Sequence, residues 1–338
     1  MAFAQTLNQL INGQDLSFAD MQALMRQVMA GELTPAQMAA VLVALRIKGE
    51  TVDEIAAAAS IMRELSTKVS ISRATHLIDT CGTGGDGILT FNVSTVSAFV
   101  AAAAGAQVAK HGGRSVSSSC GSADVLEALG VNVNLTPAQV AQAVEQIGIG
   151  FMFGPNHHSA MKHAAPVRRE LGVRTLFNLL GPLTNPANAK RQVMGVFAQE
   201  LTGKLARVLQ QLGSEHVLVV CGADGMDEIS FTGDSHVAEL KNGQISEYTV
   251  NPKQFGLSLH ALASIQIQNA EQSKAMILDV LNGKQGPARD IVLLNAGAAI
   301  YVAGVADSLA AGISKAAEVI DQGLALAKLN ALQQYAAS

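Results

Sequence analysis

Apolar and polar positions along this chain change their period once, near residue 72. Before that point apolar residues recur at helical spacing, and the helix ends are written into the sequence. "SFAD" at Ser17–Asp20, "TPAQ" at Thr34–Gln37 and "TVDE" at Thr51–Glu54 each set a hydroxyl three residues ahead of a polar partner, the pattern of a helix N-terminus. Pro35 falls at a first helical position, where its missing N–H costs nothing. Gly31 and Gly49 sit where the preceding helices should stop. The stretch predicts a small all-helical module.

From "HLIDTCG" onward, short apolar runs alternate with helical stretches: "HLIDT", "STVSAFVAAAAG", "AQVAKHG", "SADVLEALG", "VNVNL", "PAQVAQAVEQIG" and "IGFMFG". That alternation predicts a mostly parallel sheet with helices on its faces. It resumes at "QVMGVF", "ELTGKLARVLQQLG" and "HVLVVCG". "HVAEL" and "ISEYTV", joined through "KNGQ", predict an antiparallel pair, because Asn-Gly favours a tight hairpin. From about Ala270 the pattern is helical to the C-terminus. The expected fold class is α/β: a small all-helical domain plus a larger α/β domain with a mostly parallel central sheet flanked by helices. The division expected is 1–72 for the helical domain, with a helical contribution from about 166–190, and 73–165 with 191–338 for the α/β domain.

Composition narrows the class. The 338 residues are 49% hydrophobic and 15% charged, which suits a compact protein with much buried helix. A net charge of −4 gives no reason to expect a nucleic-acid or membrane partner. Cys81, Cys120 and Cys221 lie far apart with no CxxC pair, so they read as buried thiols in a reducing cytosol. The N-terminus lacks a basic segment followed by a continuous apolar core, and runs such as "AFVAAAAGAQVA" are too short to span a bilayer. A cytoplasmic protein is expected.

The candidate chemistry sits at strand ends. "DTCGTGGDG", Asp79–Gly87, carries four glycines between an expected strand and an expected helix near Ser94. In an open α/β sheet, ligands bind at the carboxyl ends of strands, where glycine lets backbone N–H groups approach an anion. Asn92, Ser94 and Thr95 add donors at that helix terminus. No Gly-Lys-Ser/Thr closes the loop as in a Walker A motif, and its glycines do not open the helix as in a dinucleotide fingerprint. Alone, the loop is equally a tight turn. "KHGGRSVSSSCGS", Lys110–Ser122, follows the next strand and groups Lys110 and Arg114 with several hydroxyls. Two such loops in succession describe a pocket for a polyanion such as a pyrophosphate. "DGMDE" then offers Asp227 and Glu228, a pair suited to Mg²⁺ beside phosphate. His158 and His163 of "NHHSAMKH" are not four apart and no acidic residue completes HExxH, so zinc is not expected there.

With "GTGGD", "NVST", "KHGGRSVSS", "RRELGVRTLFNLLGPLTNP" and "DGMDE" in this order, the chain resembles the anthranilate phosphoribosyltransferase family over essentially its whole length. The resemblance implies a homodimer acting on phosphoribosyl pyrophosphate (PRPP) and anthranilate, with Mg²⁺, two ions per active site. It implies PRPP contacts from Gly82, Gly85, Asp86, Thr90, Asn92, Val93, Ser94 and Thr95. The same contacts are implied for Lys110, His111, Gly112, Gly113, Arg114, Ser115, Val116, Ser117, Ser118 and Ser122. Anthranilate would meet Gly82, His111, Gly113, His158 and Arg168, and the metals would meet Ser94, Asp227 and Glu228. No catalytic acid or base is assigned; His111 is a candidate proton acceptor, with a structural histidine as the alternative. Gly113 stands where the family usually has asparagine, and Gly154 where it mostly has alanine. "SSSCGS" lacks the lysine often found after the serine run. The competing expectations are a pyrimidine nucleoside phosphorylase of the same fold and a non-catalytic paralogue that binds nucleic acid.

Overall fold

The chain opens with four helices, α1 (Phe3–Ile11), α2 (Phe18–Ala30), α3 (Pro35–Lys48) and α4 (Val52–Leu65). Their starts are the capped ones expected from the sequence. Ser17 Oγ accepts the Asp20 N–H at 3.1 Å, and Thr34 with Gln37 and Thr51 with Glu54 form reciprocal capping boxes. Each such cap stabilises its helix by about 1 kcal/mol. In this computed structural model residues 3–114 and 120–337 are described.

Seven strands follow: β1 (Leu77–Thr80), β2 (Gln107–Gly112), β3 (Ile149–Phe153), β4 (Arg191–Gly195), β5 (His216–Gly222), β6 (Ser235–Lys241) and β7 (Gln244–Val250). They form one sheet in the order β3-β2-β1-β4-β5-β6-β7. The first five are parallel, and β6 and β7 add antiparallel to that edge. Asn242 and Gly243 both take positive φ, 52° and 74°, so the hairpin turn is the tight one that Asn-Gly favours. The segment "VNVNL" departs from expectation: Val131, Val133 and Leu135 are buried, yet they belong to no strand. Their alternation records side chains turned inward, not ladder pairing.

Helices cover both faces. The crossovers use α5 (Val93–Ala103), α6 (Ser122–Ala128) and α7 (Pro137–Ile147). After β3 come α8 (Gly154–His157), α9 (Ala165–Leu171) and α10 (Phe177–Leu180), and α11 (Glu200–Gln211) joins β4 to β5. The chain closes with α12 (Ala270–Leu281), α13 (Pro287–Ala303), α14 (Leu309–Asp321) and α15 (Leu324–Ala337). One core gathers α5, α13 and α15 on one sheet face. On the other face a second core joins α1–α4 to Val167, Phe177 and Leu180 of α9 and α10 and to Leu205 and Leu209 of α11. The segment returning from β3 to β4 thus packs with the N-terminal helices. Among the described residues no helix is long and apolar enough to cross a membrane.

The topology fixes where a ligand should sit. The chain leaves β1 toward β2 and β3 and later returns to β4 on the opposite side of β1. The strand order therefore reverses between β1 and β4, and open α/β sheets bind ligands in the crevice at that carboxyl edge.

Candidate active site

The glycine loop occupies that crevice. Thr83 donates its N–H to the Gly195 carbonyl at 2.8 Å, tying the loop after β1 to the end of β4. Gly84 donates to Asp227 Oδ2 at 2.8 Å, bringing in the loop after β5. Gly84, Gly85 and Gly87 have φ of 61°, 77° and 77°, a region in which side chains with a Cβ are strained. A Cβ on Gly82 would lie 2.8 Å from Asp227 Oδ2, and one on Gly195 would overlap the Asp227 backbone. The glycines therefore let three strand ends meet with no side chain between them.

Three carboxylates gather at this junction. Asp86 Oδ1 accepts the Ile88 N–H at 3.0 Å, and its Oδ2 faces the Asp227 amide at 3.5 Å. Burial, followed by the Asp86 charge, raises the Asp227 carboxyl far above its ordinary range; burial and the Asp227 charge do the same to Glu228. Burial also raises Asp86. The opposing charge comes from Lys110, itself buried. Its ammonium donates to the Thr80 carbonyl and, at 3.3 Å, to Ser94 Oγ. Oxygen ligands crowded in this way, short of positive charge, fit a hard divalent cation such as Mg²⁺.

Other residues expected at the site are distributed unevenly. Val93, Ser94 and Thr95 open α5 directly beside this corner, and Thr95 Oγ1 is buried without a hydrogen-bond partner among the described residues. The Asn92 side chain is committed to the fold, donating to Cys120 O at 3.1 Å and accepting from Ser273 Oγ at 2.7 Å. Thr90 forms an isolated bridge with Gln266. A Cβ on Gly112 would run into Ser122, whose Oγ lies 3.4 Å from the Gly113 carbonyl, whereas a Cβ on Gly113 would meet nothing within 4 Å among the described residues. Arg114 is paired with Glu127 at 2.6 Å and Asp124 at 3.1 Å along α6. Ser115, Val116, Ser117 and Ser118 lie outside the described residues.

His111 lies in β2 and His158 directly after α8. The rings of His111 and His158 lie 5.1 Å apart, and both are buried. Burial pushes His111 down to about 3 and His158 to about 4, so both are neutral imidazoles at pH 7. Arg168 stacks over Phe177 at 5.4 Å; among the described residues its guanidinium has no hydrogen-bond or ion-pair partner, and burial lowers its pKa. His163 lies apart, packed against Gly31 at the end of α2.

Sequence reasoning missed Arg174 and Asn185. Arg174 stacks on Phe197 at 4.0 Å and donates to the Gly85 carbonyl, holding the glycine loop from the α9–α10 segment. Asn185 donates to Asp79 Oδ2 at 2.7 Å beneath the loop. Both fall in the quoted stretch "RRELGVRTLFNLLGPLTNP", where a cation and an amide amid apolar residues were the available signal.

Comparison with known proteins gives the family and the fold. Residues 74–326 match the model of a glycosyl transferase family a/b domain, and residues 4–66 that of its helical bundle domain. Anthranilate phosphoribosyltransferase of Methylobacillus flagellatus is 62% identical over 97% of this chain and 96% of its own length. That of Chromobacterium violaceum is 62% identical over 96% and 95%. The chain belongs to the anthranilate phosphoribosyltransferase family. The crystal structure of the Thermus thermophilus member superposes with a TM-score of 0.93 at 43% identity, covering 98% of this chain and 99% of that one. The Saccharomyces cerevisiae member in complex with PRPP and Mg gives 0.90 at 27% identity, covering 99% and 98%. The helical and α/β parts of this chain are thus both family features.

Proposed function

We propose that this protein transfers the phosphoribosyl group of PRPP to the amine of anthranilate, giving N-(5-phosphoribosyl)anthranilate and pyrophosphate in tryptophan biosynthesis. The observation that carries the reading is the meeting of the glycine loop with Asp86, Asp227 and Glu228 at the β1–β4 crevice, in a chain 62% identical to such enzymes. Neither a nucleoside phosphorylase nor a nucleic-acid-binding paralogue calls for this acidic corner.

Roles follow from chemistry. The amides of Gly82 and Gly85 and the start of α5, with Lys110 below, would hold the phosphates of PRPP. Asp227, Glu228 and Ser94 would hold Mg²⁺, with two ions the expected number; bound there, the metal neutralises charge developing on the leaving pyrophosphate. Loss of pyrophosphate leaves positive charge on ribose C1, and the anthranilate amine, neutral at pH 7, can attack it without prior deprotonation. His111, kept neutral at pH 7 by burial, can accept the proton that the amine sheds after bond formation. Its part, with His158, is to line the acceptor pocket, while Arg168 takes the carboxylate. Orienting the amine toward C1 supplies much of the rate.

The domain division expected from the sequence, at about residue 72 with helical return near 166–190, is retained as part of this reading. So are a cytoplasmic location and a homodimer, for which the exposed Ile11, Phe18 and Ile47 of the helical module offer an apolar surface. The test is the loss of anthranilate fluorescence on adding PRPP with Mg²⁺. Consumption that stops on chelation supports the reading, and none in the presence of all three components refutes it. Light scattering at the dimer mass would support the homodimer, and a monomer mass would refute it.

A further inference from the structure

Asp79 and Cys81 are two residues apart along an extended strand end, so their side chains share one sheet face. Continuing the register that sets Ile78 opposite Val108 brings His111 abreast of Cys81 on that same face. One ligand-type atom from each of the three lies within 4.8 Å of the others. We propose that Asp79, Cys81 and His111 form an inhibitory site for a thiophilic divalent cation such as Zn²⁺ or Cd²⁺.

An independent observation points the same way. Among the described residues, His111 is 5% exposed and its Nδ1 has no hydrogen-bond partner. His158, 7% exposed and with Nε2 likewise unpartnered among the described residues, stands 5.1 Å away ring to ring as a candidate fourth ligand. Both imidazoles are in the neutral form that ligates metal. Zinc bonds of about 2.0–2.3 Å need tetrahedral ligand atoms roughly 3.3–3.8 Å apart, so the cluster need close by no more than about 1.5 Å. A carboxylate, a thiolate and an imidazole suit zinc and cadmium far better than Mg²⁺, which prefers oxygen. Binding displaces the thiol proton to solvent, and two anionic ligands then balance the cation. Because Cys81 opens the glycine loop and His111 lines the acceptor pocket, the bound cation would pin the loop and hold the imidazole away from the acceptor.

The test titrates Zn²⁺ into the full-length enzyme at saturating Mg²⁺ and PRPP. Inhibition should persist when Mg²⁺ is raised further. The half-inhibitory Zn²⁺ concentration should rise about tenfold or more in Cys81→Ala, and in Cys81→Ser tested beside it as a guard against a packing defect. Each variant's own metal-free activity sets the reference for its inhibition curve, and Cys120→Ala and Cys221→Ala should be inhibited like the parent. The inhibition arm rests on the transferase reading. A second arm does not: Cd²⁺ should give a thiolate-to-metal ultraviolet absorption that vanishes in Cys81→Ala. Equal Zn²⁺ sensitivity of parent and Cys81 variants, relief by Mg²⁺, or a Cd²⁺ absorption that survives the loss of Cys81 would overturn the proposal.

Discussion

The two sides of the crevice solve opposite electrostatic problems. On the donor side Asp86, Asp227 and Glu228 crowd together with Lys110 as their opposing cation, and their carboxyls are raised by burial and by one another. On the acceptor side the histidines are neutral, and Arg168 has no acidic partner among the described residues. One side is short of positive charge and the other of negative charge. Each imbalance would suit a reactant of the proposed transfer: a magnesium pyrophosphate on one side, a benzoate with an uncharged amine on the other. Burial thus acts on both sides, but the charge it leaves uncompensated has opposite sign.

The largest effect should come from removing one charge on the donor side. Asp227→Asn keeps an oxygen that can accept the Gly84 N–H but weakens metal binding, so kcat/KM should fall by about 10²–10³-fold. The same change relieves repulsion with Asp86, so Tm should hold or rise; a fall in both would mean that Asp227 is mainly structural. Next, Arg168→Ala should raise KM for anthranilate about 10- to 100-fold while leaving that for PRPP nearly unchanged, as expected for a lost charge-assisted pair. Equal changes in both constants would erase the distinction between the sides.

The neutral histidines predict a pH effect. Between pH 7 and 5 an unfolded imidazole, with its ordinary pKa near 6.5, takes up a proton, while folded His111 and His158, at about 3 and about 4, do not. Acid therefore favours the unfolded state, by about 2 kcal/mol for each histidine over that interval. Denaturant unfolding of His158→Gln at both pH values should show a loss smaller by that amount; an unchanged loss would mean that His158 titrates in the fold as it does in the unfolded chain. The smallest effect concerns Gly113, where a Cβ meets nothing within 4 Å among the described residues. Gly113→Asn should shift stability by no more than about 0.5 kcal/mol and lower KM for anthranilate. A marked destabilisation would show that glycine is required there by the backbone.

Much of this was legible in the sequence because local rules govern it. The capping boxes at Thr34 and Thr51, the Asn242-Gly243 hairpin and the strand before the glycine loop depend on neighbours a few residues away. What was not legible depends on residues far apart in the chain. Nothing near Arg114 announces its ion pairs with Asp124 and Glu127, and Asn92 meets Ser273 only because α12 packs beside α6. Arg174 reaches Gly85 across 89 positions. Lys110 looked like a loop cation, but the sheet turns it inward beneath Ser94.

The most direct test of the division between the two sides is calorimetric binding of each substrate alone to the parent, Asp227→Asn and Arg168→Ala proteins. The account predicts that Asp227→Asn loses Mg²⁺-dependent PRPP binding and keeps anthranilate affinity, while Arg168→Ala does the reverse. If either variant weakens both substrates to the same extent, the two sides are not separate charge environments and the account is wrong.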